Sequence, residues 1–504
     1  MARLHEYQGK ALLKSAGLAV PRGSVASSPE DARQIAADLA GPVVIKIQAW
    51  TTGRKAMGGI AFANTPDQAA AAAQRLLAMK VGAFPVEQVL VEEQLPIEHE
   101  VFVSLSIDDA ARRPVLLLGV TGGSGIEDRA ADVARISMNV DGIADRAAIQ
   151  SHLAASRIPA NQQPSVADAI VRIASVARRI EARSLEVNPL VTTSDGRVMA
   201  ADCRMTIDDY AVFRHPDLGI DIARELDHPP TRLERIAYDI EQNDHRGTFY
   251  FAQLPPDPDK PLIGFHGAGG GGSMMSMDAI TTAGFSIANF TDTSGNPSVA
   301  KVYRAARIIL AQPGLAGYFG SGSGVASQEQ FHSAYGLAKA FIEMNLAIPA
   351  VIRLGGNSED RAVEILEDAC RNLPAPVRGF KKDDTPAACA DVFRKLVQQC
   401  GAKPATMRRR VPEYVGQSAS YSFPITGGRV WIDHSACDAA TTQIVIQHSA
   451  GLLREQGGKP ILAVPEEEIA GKDSELIACE IECRRAGRPV LFVDLPIPGL
   501  DVKA

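Results

Sequence analysis

Short apolar, β-rich runs alternate with helix-length patterns along almost the whole of this 504-residue chain, and that alternation restricts it to α/β architectures. PVVIKIQ is followed by DQAAAAAQRLLAM and then by EQVLVEEQL, and the same rhythm continues downstream. A chain of this length exceeds one ordinary core, so breaks between domains are expected. The charged, proline-broken stretch from about Asp217 to Lys260, ending in PPDPDK, reads as one junction. A second α/β unit starts at Pro261 with KPLIGF and runs to about Cys400. KPATMRRRVPEY (403–414) reads as a second linker, with Arg408 to Arg410 a solvated turn. The remainder reads as β-α-β-α-β: RVWID, a helix around TTQIVIQHSAGLLREQGG, PILAV, the helix SELIACEIECRRAG, and PVLFVDL.

Composition narrows the function classes. Apolar residues at 46% and charged residues at 22% are the balance of a soluble globular protein. A net charge of −7 argues against nucleic acid as a partner, because nucleic-acid binders carry a basic footprint. No apolar run reaches membrane-spanning length, and MARLHEYQGK lacks the apolar centre of a signal peptide, so no membrane role is expected. Seven cysteines without a CxxC pair point to a reducing compartment, and a cytoplasmic location is expected. Cys479 and Cys483, one helical turn apart, read as core filling rather than as a metal pair.

The run SLEVNPLV (184–191) sets Glu186 and Asn188 two positions apart, hence on one face of a strand that should be buried. TTSDGR then supplies an Asp-Gly turn and VMAADCRM the returning strand, which places Asp202 opposite Asn188 with Glu186 nearby. Two or three oxygen ligands on paired strands suit Mg²⁺, which completes its shell with water and phosphate oxygens. The competing reading is an ordinary hairpin with polar residues at its exposed end. Lys46 lies in the middle of an apolar strand, where a cation normally meets an anion. The glycine-punctuated loop TTGRKAMGG (51–59) carries Arg54 and Lys55, and such a loop brings N–H groups and cations close to phosphates. VLVEEQLPIEHE offers Glu92 at a strand end and Glu100 beyond it, acids able to accept from an adenine amino group or ribose hydroxyls. No GxxxxGK[ST] occurs, which excludes a P-loop.

A second constellation follows KPLIGF. In HGAGGGGSMMSMD (266–278), Gly267, Gly269 and Gly272 stand in dinucleotide-fingerprint spacing between a strand and a helix, and Asp292 lies about twenty residues on. An NAD(P)-binding domain is therefore a rival reading, weakened because a run of glycines produces the fingerprint by chance.

In order along the chain, LHEYQGKALL, VVIKIQ with GRKAMGG, LVEE, LEVNPLV and FRHPDL (213–218) resemble the β-subunit of succinyl-CoA synthetase, over roughly residues 3 to 400. The resemblance implies an α/β protein with an ATP-grasp nucleotide-binding domain at 1–225 and a flavodoxin-like CoA-ligase domain at 226–402. A small additional α/β domain at 411–504 lies outside the family pattern. Lys46, Gly53, Arg54, Glu92 and Glu100 match nucleotide-binding positions, with Lys55 and Leu95 (through its backbone) at further contacts. Asn188 and Asp202 match the magnesium ligands, and Glu186 matches the acid that holds a visiting phosphohistidine. HGAGGGG with NFTD and RLGGN (353–357) resembles the family's second site, where helix N-termini cradle phosphate. His266, Ser323, Gly324 and Val325 fall at its substrate- or phosphate-binding positions.

Departures cluster at the acid-recognising end. His266 replaces an asparagine, GVAS (324–327) lacks the family's arginine, the glycine loop is longer, and TGGSGIE (121–127) has lost two acids. The implied activity is the β-type half of an ADP- or GDP-forming acyl-CoA ligase acting on a small carboxylic acid other than succinate. Phosphate from ATP or GTP would pass to a histidine on an α-type, CoA-binding partner subunit, then to the acid as an acyl phosphate, and CoA would displace it. His266 reads as a substrate contact or structural imidazole rather than as the phosphate carrier. The competing functions are a free-standing ATP-grasp ligase joining a carboxylate to an amine, and a degenerate regulatory subunit. HSAC (434–437) reads as an unpaired His and Cys rather than a nucleophile couple, and the C-terminal domain receives no function.

Overall fold

The computed structural model describes residues 1–51, 53–120, 133–322, 328–401 and 407–501. They form two compact units, Met1–Pro230 and Thr231–Ala504. Among the described residues no helix is long and apolar enough to cross a membrane.

The first unit is built on two antiparallel sheets. The smaller has the central strands Val89–Glu93 and Val43–Ile47, flanked by Gly23–Ala26 and Ile60–Ala63. Helices Pro29–Leu39 and Pro66–Leu77 cover it, each begun by a hydroxyl cap (Ser28, Thr65) and a proline in the first turn. The alanines that stripe these helices let them approach closely over Val43, Ile45 and Val91. In the larger sheet the long strands Ile97–Asp108 and Ala182–Thr193 lie side by side, with Arg204–Ile207 and Ala2–Leu4 beyond. Helix Gln163–Arg179 buries Ile170, Ile173 and Ala174 against Val103, Leu185 and Val187. The alternate residues of the same strands therefore face away from that core, and Glu186, Arg204 and Ser104 stand in one row there.

In the second unit, five parallel strands run in the spatial order Asn289–Asp292, Leu262–Ala268, Gly317–Gly322, Ala350–Arg353, Val377–Phe380. This is the 2-1-3-4-5 order of a flavodoxin-like sheet, with Tyr250–Gln253 added antiparallel at its edge. Helices Gly270–Thr282 and Pro386–Cys400 pack on one face around Ile280 and Phe393. Helices Val299–Leu310, Phe331–Glu343 and Glu359–Cys370 share the other core, and residues 423–497 contribute to that same core.

The C-terminal segment departs from β-α-β-α-β. Its sheet is antiparallel, Ser420–Ile425, Gly428–Asp433 and Leu491–Asp494. The helix expected over 441–458 stops at His448, and LLREQGGKPIL forms a separate hairpin, Leu453–Gln456 with Lys459–Leu462. The causes are local: Ala450 and Gly451 adopt positive φ (53° and 80°) just past the helix end, and Gly457 and Gly458 (59° and 77°) form the tight turn of the hairpin.

Candidate functional site

The first unit gathers its charges around the N-terminal helix Glu6–Ser15. The buried stripe of this helix, at i, i+3, i+4 and i+7, reads Glu6, Gly9, Lys10 and Leu13, so half of it is charged. Gly9 permits the approach, because a Cβ there would meet Cys203 Sγ at 2.8 Å. Glu6 accepts from Lys10 Nζ at 2.7 Å and Lys46 Nζ at 2.8 Å through one oxygen, and from Arg54 Nη1 at 2.6 Å through the other. Lys10 also donates to both oxygens of Glu92 at 2.7 Å, and Lys46 lies 3.0 Å from Glu92. Burial alone would raise the Glu6 pKa, but Lys10, Lys46 and Arg54 together hold it well below the ordinary carboxylate range. Burial likewise works against the Lys46 cation, and Glu6 and Glu92 outweigh it, so its pKa rises.

The hairpin sets Asp202 as its sequence suggests. Leu190 pairs with Ala200, and Ala201 N donates to Pro189 O at 3.0 Å, which continues the register toward Asn188 and Asp202. Gly196 takes φ 84° in the turn. Asp202 accepts from Arg54 Nη2 on both oxygens, at 2.8 and 2.7 Å, and from Cys203 N at 2.7 Å. Glu186 stands directly across from Arg204 on one neighbouring strand and Ser104 on the other.

One cavity of about 890 Å³ is lined by Lys46, Gly53, Arg54, Lys55, Glu92, Leu95, Glu100, Glu186, Asn188 and Asp202. Residues widely separated in sequence thus converge on a space of the size that cofactor pockets take. A smaller cavity of about 190 Å³ shares Thr51, Arg54, Glu186 and Arg204 as its wall. The larger one presents four cations, Lys46, Arg54, Lys55 and Arg204, suited to phosphate oxygens, an amide oxygen and carboxylates suited to a hard cation, and apolar surface from Val44, Ile60 and Leu95. Among the described residues no group of three or more His, Cys, Asp and Glu could by itself hold a metal. Asp202 and Asn188 fit a divalent ion that keeps water and phosphate oxygens in its shell, and Asp202 already balances one cation in Arg54.

Sequence reasoning missed Glu6 and Lys10. Their spacing, an acid and a base four apart on the same stripe as Leu13, is the signal that could have found them. Glu92, read from the sequence as an acceptor for a nucleotide, lines the cavity and also accepts from Lys10 on both oxygens.

In the second unit His266 is buried on the strand Leu262–Ala268. Its Nδ1 lies 2.6 Å from Tyr318 Oη and its Nε2 3.2 Å from Thr293 Oγ1, and burial lowers its pKa to about 4. The ring is therefore neutral at pH 7, with both nitrogens engaged. Gly267 has no room for a side chain: a Cβ would meet Ser273 Oγ at 2.2 Å. Asp292 Oδ1 accepts from Gly269 N and Ser294 N, both at 2.8 Å, so that carboxylate braces the glycine loop in the place where a dinucleotide ribose would need it. Ser323, Gly324, Val325 and the stretch TGGSGIE lie outside the described residues. In HSAC, His434 stacks on Tyr421 while Cys437 Sγ donates to Asp433 O, and burial raises that thiol to about 11.

An ATP-grasp domain family matches residues 3–192. The GDP-forming succinate–CoA ligase subunit β of Thermus thermophilus is 32% identical over 378 residues, covering 72% of this chain and 93% of that protein. The ADP-forming succinate–CoA ligase subunit β 2 of Archaeoglobus fulgidus is also 32% identical over 378 residues, 74% of this chain and 94% of its own. Among solved structures, ATP citrate lyase from Methanothrix soehngenii in complex with citrate and coenzyme A is similar in fold. It has a TM-score of 0.61 at 17% identity, over 78% of this chain and 99% of that one.

Proposed function

The chain belongs to the succinate–CoA ligase β-subunit family, and from that premise we propose that its large cavity binds ATP or GTP for a phosphoryl transfer that activates a small carboxylic acid. The observation that carries the reading is the convergence of Lys46, Arg54, Lys55, Glu186, Asn188 and Asp202 on a single space. Lys46, Arg54 and Lys55 would hold the polyphosphate, with the Gly53 backbone close to it. Leu95 and Glu100 would face the base and ribose. Glu92 acts from behind, by fixing Lys10 and Lys46. Asn188 and Asp202 would hold Mg²⁺, which when bound neutralises developing charge on the transferred phosphoryl group. Glu186, in the wall between the two cavities, would face the phosphoryl acceptor.

The acceptor is proposed to be a histidine of an α-type, CoA-binding partner subunit, which then passes the phosphoryl group to the acid and so to CoA. Both ring nitrogens of the buried His266 are engaged by Tyr318 and Thr293, which supports a substrate contact or structural role beside the second site over that of phosphate carrier. An acid other than succinate is proposed from the changed residues at that end. Free cysteines throughout accord with a cytoplasmic enzyme.

The purified chain is to be incubated with γ-labelled ATP, magnesium and a candidate α-type partner. Label is expected on a partner histidine and none on this chain. Turnover of a carboxylate and an amine without any partner would replace this reading with a free-standing ligase.

A further inference from the structure

The two ends of the Arg54 guanidinium sit in unlike settings. Nη1 rests on Glu6, whose side chain is 3% exposed and shared with Lys10 and Lys46. Nη2 closes on Asp202, whose side chain is 26% exposed and lines the large cavity. The backbone of the loop is itself held, by Gly59 N donating to Arg54 O at 2.8 Å and Met57 N to Gly53 O at 3.2 Å, so an exchange of partner falls to the long Arg54 side chain. One end is thus a pivot and the other a contact that can be exchanged.

We propose that Arg54 is the residue that makes this cavity selective for a metal–polyphosphate complex over a free divalent cation. A bare cation arriving at Asp202 meets a guanidinium bonded to both carboxylate oxygens. Either the guanidinium stays and repels it, or it leaves and forfeits two charge-assisted hydrogen bonds. A polyphosphate removes the conflict by offering Arg54 new anionic oxygens while the metal takes Asp202. Every charge is then paired before and after the exchange, and Nη1 keeps its hold on Glu6. Metal and polyphosphate therefore bind with positive coupling, each raising the affinity of the other by the same factor. The inference rests on the nucleotide reading for the identity of the polyphosphate, but the closure of Asp202 to free metal stands apart from it.

Mn²⁺ titration of the full chain without nucleotide, followed by electron paramagnetic resonance, tests the closure directly. Wild type is expected to take up Mn²⁺ weakly, and Arg54→Gln at least about tenfold more tightly, since a like charge next to the ligand has gone. Arg54→Lys retains the charge and is expected to stay as closed as wild type. Arg54→Gln combined with Asp202→Asn is expected to lose the gain. Unchanged Mn²⁺ affinity in a folded Arg54→Gln protein, or a gain that survives the double substitution, would overturn the proposal. Calorimetry of wild type with magnesium and a non-hydrolysable ATP analogue reports separately. Absence of binding there would sink the nucleotide reading while the Mn²⁺ series still judges the closure.

Discussion

Each compact unit contains a cluster of buried ions, and the two clusters differ in what lies beside them. In the first unit, Glu6 and Lys10 are buried, and their partners Lys46, Glu92 and Arg54 line a cavity together with Asp202. In the second unit, Lys339 donates to Glu343 at 2.6 Å and Glu480 at 2.7 Å, and Arg307 lies 3.5 Å from Glu343, with all four side chains at most 2% exposed. Arg409 bonds Glu343 at 2.8 Å and Asp494 at 2.7 Å. This second cluster forms a seam between the helices Val299–Leu310 and Phe331–Glu343 and the C-terminal segment. Desolvation is costly in both places and is offset by close pairing. Burial and charge therefore do not mark a site by themselves. What distinguishes the first cluster is the cavity beside it.

The sharpest way to break this contrast is Lys339→Met, which removes the cation that Glu343 and Glu480 share. A loss of about 3–5 kcal/mol in urea unfolding is expected, with Mg–ATP affinity of the surviving folded protein unchanged. A loss under about 1 kcal/mol would show that the seam does not hold the unit together.

His266 supplies an intermediate case, a buried ionisable group with no countercharge among the described residues. Its imidazole stays at about 4 in the fold against 6.5 outside it. Between those values the unfolded chain takes a proton that the folded chain refuses. Stability is thus full above pH 6.5 and falls by about 3 kcal/mol as the pH drops toward 4, with no further loss from this group below that. His266→Gln is expected to flatten this part of the pH dependence of unfolding. An unaltered slope would mean that the ring takes its proton as readily in the fold as outside it. Glu6 works at lower pH: its depressed pKa contributes stability above the ordinary carboxylate value of 4.5, lost as the pH falls below it.

Asp202→Ala probes the cavity edge. It is expected to weaken Mg–ATP binding at least about tenfold, near 1.4 kcal/mol, while the unfolding midpoint barely moves because Arg54 keeps Glu6. Unchanged affinity in calorimetry would remove Asp202 from the site.

How legible all this was depends on the range of the interaction. The hairpin around Asp195 and Gly196 was readable because its turn chemistry and strand alternation lie within a few residues. The flavodoxin-like sheet was readable from its rhythm of strands and helices together with the family resemblance. Lys46 correctly announced a buried anion, but Glu6 lies 40 positions away, and nothing local says that one helix will present its charged stripe inward. The Lys10 partner of Glu92 was hidden for the same reason, since it is 82 positions distant. In the C-terminal segment the run TTQIVIQH suited a longer helix, and the left-handed Ala450 and Gly451 ended it.

The seam has a consequence for how the chain is made. Arg307 pairs with Asp501 at 2.5 Å, and these partners are separated by 194 positions, so the second leaves the ribosome long after the first. The first unit has all of its residues once Pro230 has emerged, whereas the second holds half-covered helices until synthesis reaches the far side of Asp501. Cutting the chain near residue 400 would therefore strand buried ions and apolar helix faces in water, and would not simply shed an appendage.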